Sequence, residues 1–364
     1  MLIRSNSRTR PVPRRATIAL CIFAQTILLF AFPLSIPACP VSSAKNIDQH
    51  QKVRAVAARI ATSTFAELPV IDKRVSGSAF DSARAFAHVH KMVEFGPRPS
   101  GSKELARARE YIVHELRSYG LNVALDEFRA KTPVGERRMV NITAELPGES
   151  PDRIIIGSHY DTKLYKTFRF VGANDGGSST GALLELARVL AASTQKPRFT
   201  YCFVFFDGEE AFCREWDECG KPGAPDNTYG SRRYVEGLKS RRETSSVRSL
   251  ILLDMIGYRK LELGRDPKSS TWLVDIIWRT ARELGHGAQF VEREEGIGGD
   301  DHEPFLRAGV DAVDIIQLNS YPHWHTPDDT LDKISPISLQ IVGDVVLASL
   351  PHIEHHLLSR RVAP

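Results

Sequence analysis

Several short segments of this 364-residue chain carry side chains able to bind a cation or move a proton, and most of them follow an apolar run. His159 and Asp161 come just after Ile154, Ile155 and Ile156; Asp207, Glu209 and Glu210 follow the apolar stretch 200–206. Asp254 closes 250–253, and the pair His323 and His325 follows 315–318. A further cluster, Asn174-Asp175 with Gly176 and Gly177, opens a helix-like segment, where the helix N-terminus favours a carboxylate. Imidazoles mixed with carboxylates suit a catalytic zinc, which takes nitrogen and oxygen ligands and keeps one position open; calcium would take oxygen alone. Adjacent Glu209 and Glu210 can divide the work, one acid binding metal while its neighbour carries protons.

Each of these residues also has an ordinary reading. A His after a strand is commonly a solvated loop residue, a Glu-Glu pair is commonly surface charge, and Asp175 could simply cap a helix. Their recurrence at one end of successive strands decides for a site, because ligands in an open α/β sheet bind at the carboxyl ends of its strands.

The elements that must position these groups follow from periodicity. Helical spacing of apolar residues covers 79–93 and 103–120, separated by the breaker cluster 96–101 (Gly-Pro-Arg-Pro-Ser-Gly). Strands are predicted at 122–128, 139–145, 153–157, 200–206, 250–254 and 312–318, and helices at 181–193, 230–238, 270–284 and 338–350. Buried strands alternating with helices predict an α/β fold: a single three-layer αβα domain over 79–358, its mixed sheet mostly parallel, with the metal site at the strand C-terminal edge.

Composition agrees with a globular chain, 42% hydrophobic and 25% charged. The formal charge of +4 arises in residues 1–44, which hold five arginines and no acid; removing those five from 48 basic residues leaves 43 against 44 acidic. That balance gives no footprint for nucleic acid. Residues 1–44 read as an export leader, either a signal peptide cut near Ala44 or an uncleaved signal anchor, with 45–78 a helical arm or linker. The expected location is therefore periplasmic or secreted, with membrane attachment through the leader alone, and the expected state is a monomer. Export favours a disulfide between Cys213 and Cys219, whereas Cys202, inside an apolar strand, is expected as a buried thiol.

The segments 157–162 (Gly-Ser-His-Tyr-Asp-Thr), 172–175 (Gly-Ala-Asn-Asp), 206–210 (Phe-Asp-Gly-Glu-Glu), 253–257 (Leu-Asp-Met-Ile-Gly), 300–305 (Asp-Asp-His-Glu-Pro-Phe) and 324–329 (Trp-His-Thr-Pro-Asp-Asp) resemble, in order, the signature blocks of the zinc-dependent aminopeptidase superfamily. The resemblance implies Asp175, Glu210 and His325 as zinc ligands, His159 and Asp254 as completing a second site in di-zinc peptidases, and Glu209 as general acid/base. Local details favour the glutaminyl-peptide cyclotransferase branch: Asp126 to Phe128, Tyr229 to Arg232, Trp216, the doubled Asp300-Asp301, and Trp324 before the metal His. In that branch Trp216 and Trp324, with Tyr321, would line a pocket for an N-terminal glutamine side chain, Asp300 would help hold its amide, and Asp254 would pair with Asp300. One zinc is then implied. The segments 176–181 and 325–330 look more like bacterial aminopeptidases, which implies two zincs and hydrolysis of N-terminal residues. Peptide N-termini are the substrate in both readings; a metal-free binding ectodomain on the same fold is the third.

Overall fold

The structure, a computed structural model, describes residues 79–362. The leader expected at 1–44 and the arm expected at 45–78 lie outside the described residues. In chain order the elements are helices α1 (Ser82–Phe95) and α2 (Lys103–Ser118), strands β1 (Asn122–Thr132), β2 (Gly135–Leu146) and β3 (Ser150–His159), helix α3 (Gly177–Ala191), strand β4 (Phe199–Phe206), the short strands β5 (Gly220–Lys221) and β6 (Ala224–Pro225), helix α4 (Tyr229–Ser240), strands β7 (Val247–Asp254) and β8 (Leu263–Arg265), helix α5 (Thr271–Glu283), strand β9 (Phe290–Glu294), helix α6 (His302–Arg307), strand β10 (Ala312–Ile316) and helix α7 (Pro336–Val362).

Strands β1-β2-β4-β3-β7-β10 form one six-stranded sheet in that order. The β4-β3-β7-β10 half is parallel, and the β1-β2 hairpin joins β4 antiparallel. Alternation along these strands divides the interior in two. Ile154, Ile156, Tyr201, Phe203, Phe205, Ile251, Leu253, Val313 and Ile315 face the core built with α1, α2, α3, α5 and α7. Their neighbours Ile155, Cys202, Val204, Phe206, Leu250, Leu252 and Ala312 face a smaller core with α4 and α6. Side chains of period two on a sheet buried on both faces leave no solvated side, which is why these strands read as unbroken apolar runs.

The layers are those expected from the sequence, with ends displaced by a few residues, except that α7, expected over 338–350, continues through Pro351 to Val362. The additions are the β8-β9 pair, the β5-β6 hairpin and the six-residue α6, all too short to show a period. Over its apolar stretch 336–360, α7 is mostly buried within the domain. Cys213 and Cys219 are bonded, and Cys202 is free and buried. Burial, aided by Glu145, pushes the Cys202 thiol up to about 12, so it stays protonated.

Candidate metal and catalytic centre

The parallel strands all deliver their carboxyl ends to one edge. β3 ends on His159, β4 hands the chain to Asp207, Glu209 and Glu210, and β7 ends on Asp254. Asp175 reaches the same place from the turn before α3, and His325 from the loop after β10. His325 Nε2 lies 3.4 Å from Asp175 Oδ2 and 3.2 Å from Glu210 Oε2. On the other side of the shared carboxylate, His159 Nε2 lies 3.3 Å from Asp175 Oδ1 and 3.1 Å from Asp254 Oδ1. Two candidate ligand sets therefore meet at Asp175: Asp175 with Glu210 and His325, and His159 with Asp175 and Asp254.

These ligands are held by their loops. Arg98, fully buried, donates from its guanidinium to the carbonyls of Tyr160, Val171 and Gly172. Asp329 accepts the backbone N–H groups of Asn174 (2.8 Å) and Asp175 (3.1 Å) and the Tyr321 hydroxyl (2.6 Å). Between them the turn needs two left-handed glycines, Gly172 and Gly176. A Cβ on Gly172 would sit 2.4 Å from the Asp175 carbonyl oxygen, and one on Gly176 would sit 2.8 Å from His159 Cε1. Asp161 accepts the backbone N–H groups of Glu209 and Glu210 (3.2 and 3.4 Å), while Glu210 Oε1 accepts the Lys163 N–H at 2.9 Å. His325 itself has φ 54°, a strained conformation for a non-glycine residue of the kind that concentrates at functional sites.

The electrostatics call for a cation. Asp161, Asp175, Glu209, Glu210, Asp254, Asp300, Asp301 and Asp329 are all buried, against Arg98 and Lys163 as fixed positive charges. Asp175 Oδ2 is buried with no hydrogen-bond donor. Burial alone would push the Asp175 proton affinity up, but His159 and His325 outweigh it and hold this carboxyl below the usual range, so it is ionised. For Glu209 burial dominates: His159 opposes it, Asp300, Glu210 and Asp301 add to it, and the result lies well above the usual carboxylate range. A buried acid excess with an orphaned oxygen, converging with an imidazole, fits a divalent metal. Two carboxylates and one imidazole are the donor set of an open, catalytic zinc site.

Glu209 stands beside both sets, its Oε2 3.8 Å from His159 Nδ1. Trp324 stacks on His325, ring centroids 4.1 Å apart, and is 41% exposed. Trp216 lies against Gly299 and with Asp300 lines one groove, whose walls include neither the candidate ligands nor Trp324 and Tyr321. Tyr321 is buried; beyond its bond to Asp329 it packs edge-on to Tyr258, and so supports the loop bearing Asp175. His323 packs on Tyr258 and Tyr321, away from the two ligand sets. The sequence reading assigned no role to Arg98 or Asp329. The Pro97-Arg98-Pro99 run was the available signal for the first, and nothing local distinguishes Asp329 from its exposed neighbour Asp328.

Residues 141–350 match the model of peptidase family M28, and the chain belongs to that family. Within it, the chain is 30% identical over 282 residues to a glutaminyl-peptide cyclotransferase-like protein of Bos taurus, covering 70% of this chain and 71% of that one. Among solved structures it resembles a glutaminyl cyclase of an Acidobacteriales bacterium (TM-score 0.70, 33% identity, 76% of this chain and 96% of that one). It also resembles a structure described as a leucine aminopeptidase precursor from Bacteroides thetaiotaomicron (TM-score 0.68, 28% identity, 74% and 97%).

Proposed function

We propose that this protein is a single-zinc glutaminyl-peptide cyclotransferase, converting an N-terminal glutamine to pyroglutamate with release of ammonia. Asp175, Glu210 and His325 would hold the ion; what zinc supplies there when bound is Lewis acidity toward a carbonyl oxygen. The observation that carries cyclisation over hydrolysis is the buried Asp300, which lines a groove with Trp216 and whose charge acts on Glu209.

Asp300 would accept from the substrate's γ-carboxamide, and Trp216 and Trp324 would wall its short side chain away from water. The α-amine attacks the carbonyl carbon of that carboxamide (Cδ), forming the ring C–N bond as the bond from the same carbon to the amide nitrogen breaks. Glu209 takes the proton that the amine loses and returns it to the departing ammonia, so no water is consumed. A buried carboxyl with a raised proton affinity suits both halves of that transfer. Holding both reacting groups of one molecule in attack geometry supplies much of the rate gain. The export leader read in residues 1–44 would place this activity outside the cytoplasm.

One observation favours a second reading. The His159, Asp175 and Asp254 set has the donors for a second ion, with Asp175 between the two, as a di-zinc aminopeptidase requires. Incubating the protein from Lys45 onward with Gln-initiated and Leu-initiated peptides, and reading products by mass spectrometry, separates the two. Loss of ammonia from an intact Gln peptide supports the cyclase; release of free Leu supports the peptidase.

A further inference from the structure

The loop that follows β3 passes all three proposed zinc ligands and carries aromatic rings to them. Near its start Lys163 gives its backbone N–H to Glu210 Oε1 at 2.9 Å, and at its end the left-handed Gly172 opens the turn to Asp175. Between these points Tyr165 stacks on Phe168, ring centroids 4.2 Å apart, and meets Phe170 edge-on at 5.6 Å. Tyr165 and Phe170 both stand steeply tilted to the His325 imidazole, at 6.1 and 5.8 Å. Phe170 is buried, as a ring that braces a ligand should be. Tyr165 and Phe168 are only half-buried, and Trp324, stacked on the same imidazole, is exposed.

Apolar rings joined through a ligand's imidazole and left open to water beside a metal centre mark a place where something binds. What binds there follows from the length of the peptide unit. With a peptide's N-terminal residue at the ion, the next Cα lies about 3.8 Å from the first, so the second side chain stays close to the ligands. Two surfaces compete for it. The groove lined by Trp216 and Asp300 is walled further on by Asp217, Lys221, Glu236 and Lys239, and none of the ligands belongs to it. Tyr165 and Trp324, by contrast, touch His325 itself. Aromatic faces also gain by shedding water, whereas charged walls lose by it.

We propose that Tyr165 and Phe168, with Trp324, form a shelf for the side chain of the substrate's second residue, so that this enzyme selects peptides whose second residue is aromatic or large and aliphatic. Glutamine as the first residue rests on the cyclase reading; the shelf needs only a peptide N-terminus at the ion. A Phe in place of Gly at the second position gains a partly covered ring, about tenfold in kcat/KM. The gain falls mainly on KM, because the shelf holds ground state and transition state alike.

The test is steady-state kinetics of the zinc-loaded protein on the amides of Gln-Phe, Gln-Leu, Gln-Gly, Gln-Glu and Gln-Lys, with wild type beside Phe168→Ala and Tyr165→Ala. Wild type is expected to favour Phe and Leu over Gly by about tenfold, and each variant to shrink that ratio toward one, with zinc content by elemental analysis unchanged in Phe168→Ala. A merely structural role for the rings would lower kcat/KM for all five peptides by one factor and leave the ratio standing, which overturns the proposal. A wild-type preference for Gln-Glu or Gln-Lys overturns it too, by putting the second residue in the charged groove. Should Tyr165→Ala fail to fold, Phe168→Ala decides alone. If Gln peptides are not cyclised, the cyclase reading falls, and the same ratio still decides the shelf. It is then read from hydrolysis of Leu-Phe against Leu-Gly amides or, where neither is turned over, from their calorimetric binding.

Discussion

Replacing Glu209 with Gln isolates proton transfer from everything else the centre does. Residue 209 is fixed through its backbone, its N–H donating to Asp161 Oδ1 at 3.2 Å and its carbonyl accepting from Thr228 N–H at 2.8 Å. The substitution keeps side-chain volume and removes one charge from a crowded, buried acid cluster, so the fold should survive. Glu209 belongs to neither candidate ligand set, so metal content should also be unchanged. What is lost is a base that accepts the amine proton, a contribution of about 10²- to 10⁴-fold in turnover, or about 2.7–5.5 kcal/mol of barrier. The pH profile gives an independent check. Burial holds Glu209 well above the usual carboxylate range, and a base must be ionised to act. Activity of the wild type should therefore fall as pH drops through that raised value, along a limb above the ordinary glutamate value of about 4.3. The residual activity of Glu209→Gln should lack this limb. The assay is pyroglutamyl-peptide formation by mass spectrometry with metal content by elemental analysis. Normal turnover in a zinc-loaded Glu209→Gln refutes the assignment; loss of metal would mean that Glu209 acts as a ligand instead.

The other expectations follow from the same geometry. Glu210→Ala and His325→Ala should each bind far less zinc than wild type, as elemental analysis after dialysis would register. Asp329→Ala strips the acceptor from three buried donors and should cost about 3 kcal/mol or more, seen as a lower midpoint in urea unfolding, together with weaker metal retention. Changing both Cys213 and Cys219 to Ser opens a loop of six-residue separation, a constraint worth roughly 2 kcal/mol in the unfolded chain. Because Trp216 lies inside that loop, KM for Gln peptides should rise more than kcat falls in steady-state kinetics.

Much of the centre was legible because its logic is local. An apolar run ending in His159, in Asp254, or just before Glu209 and Glu210 states both the strand and the edge at which its polar residue emerges, since a strand buried on both faces can expose polar groups only at its ends. The breaker cluster around Arg98 and the Asn-Asp-Gly-Gly turn were equally visible as interruptions of periodicity. The short elements were not: α6, β5 and β6 hold too few residues to repeat a period, and their place comes from what they pack against.

The chain's own order of residues thus determined the layers, the edge where the site lies and the types of side chain offered there. Only the tertiary structure decided which acid serves which neighbour. Asp329 reaches back 154 residues to the Asp175 N–H, His302 stands between Asp266 and Asp314, and Arg98 is sunk beneath the loop it braces. Carboxylates are chemically alike in a sequence; their roles diverge once packing sets which of them loses water and which gains a donor.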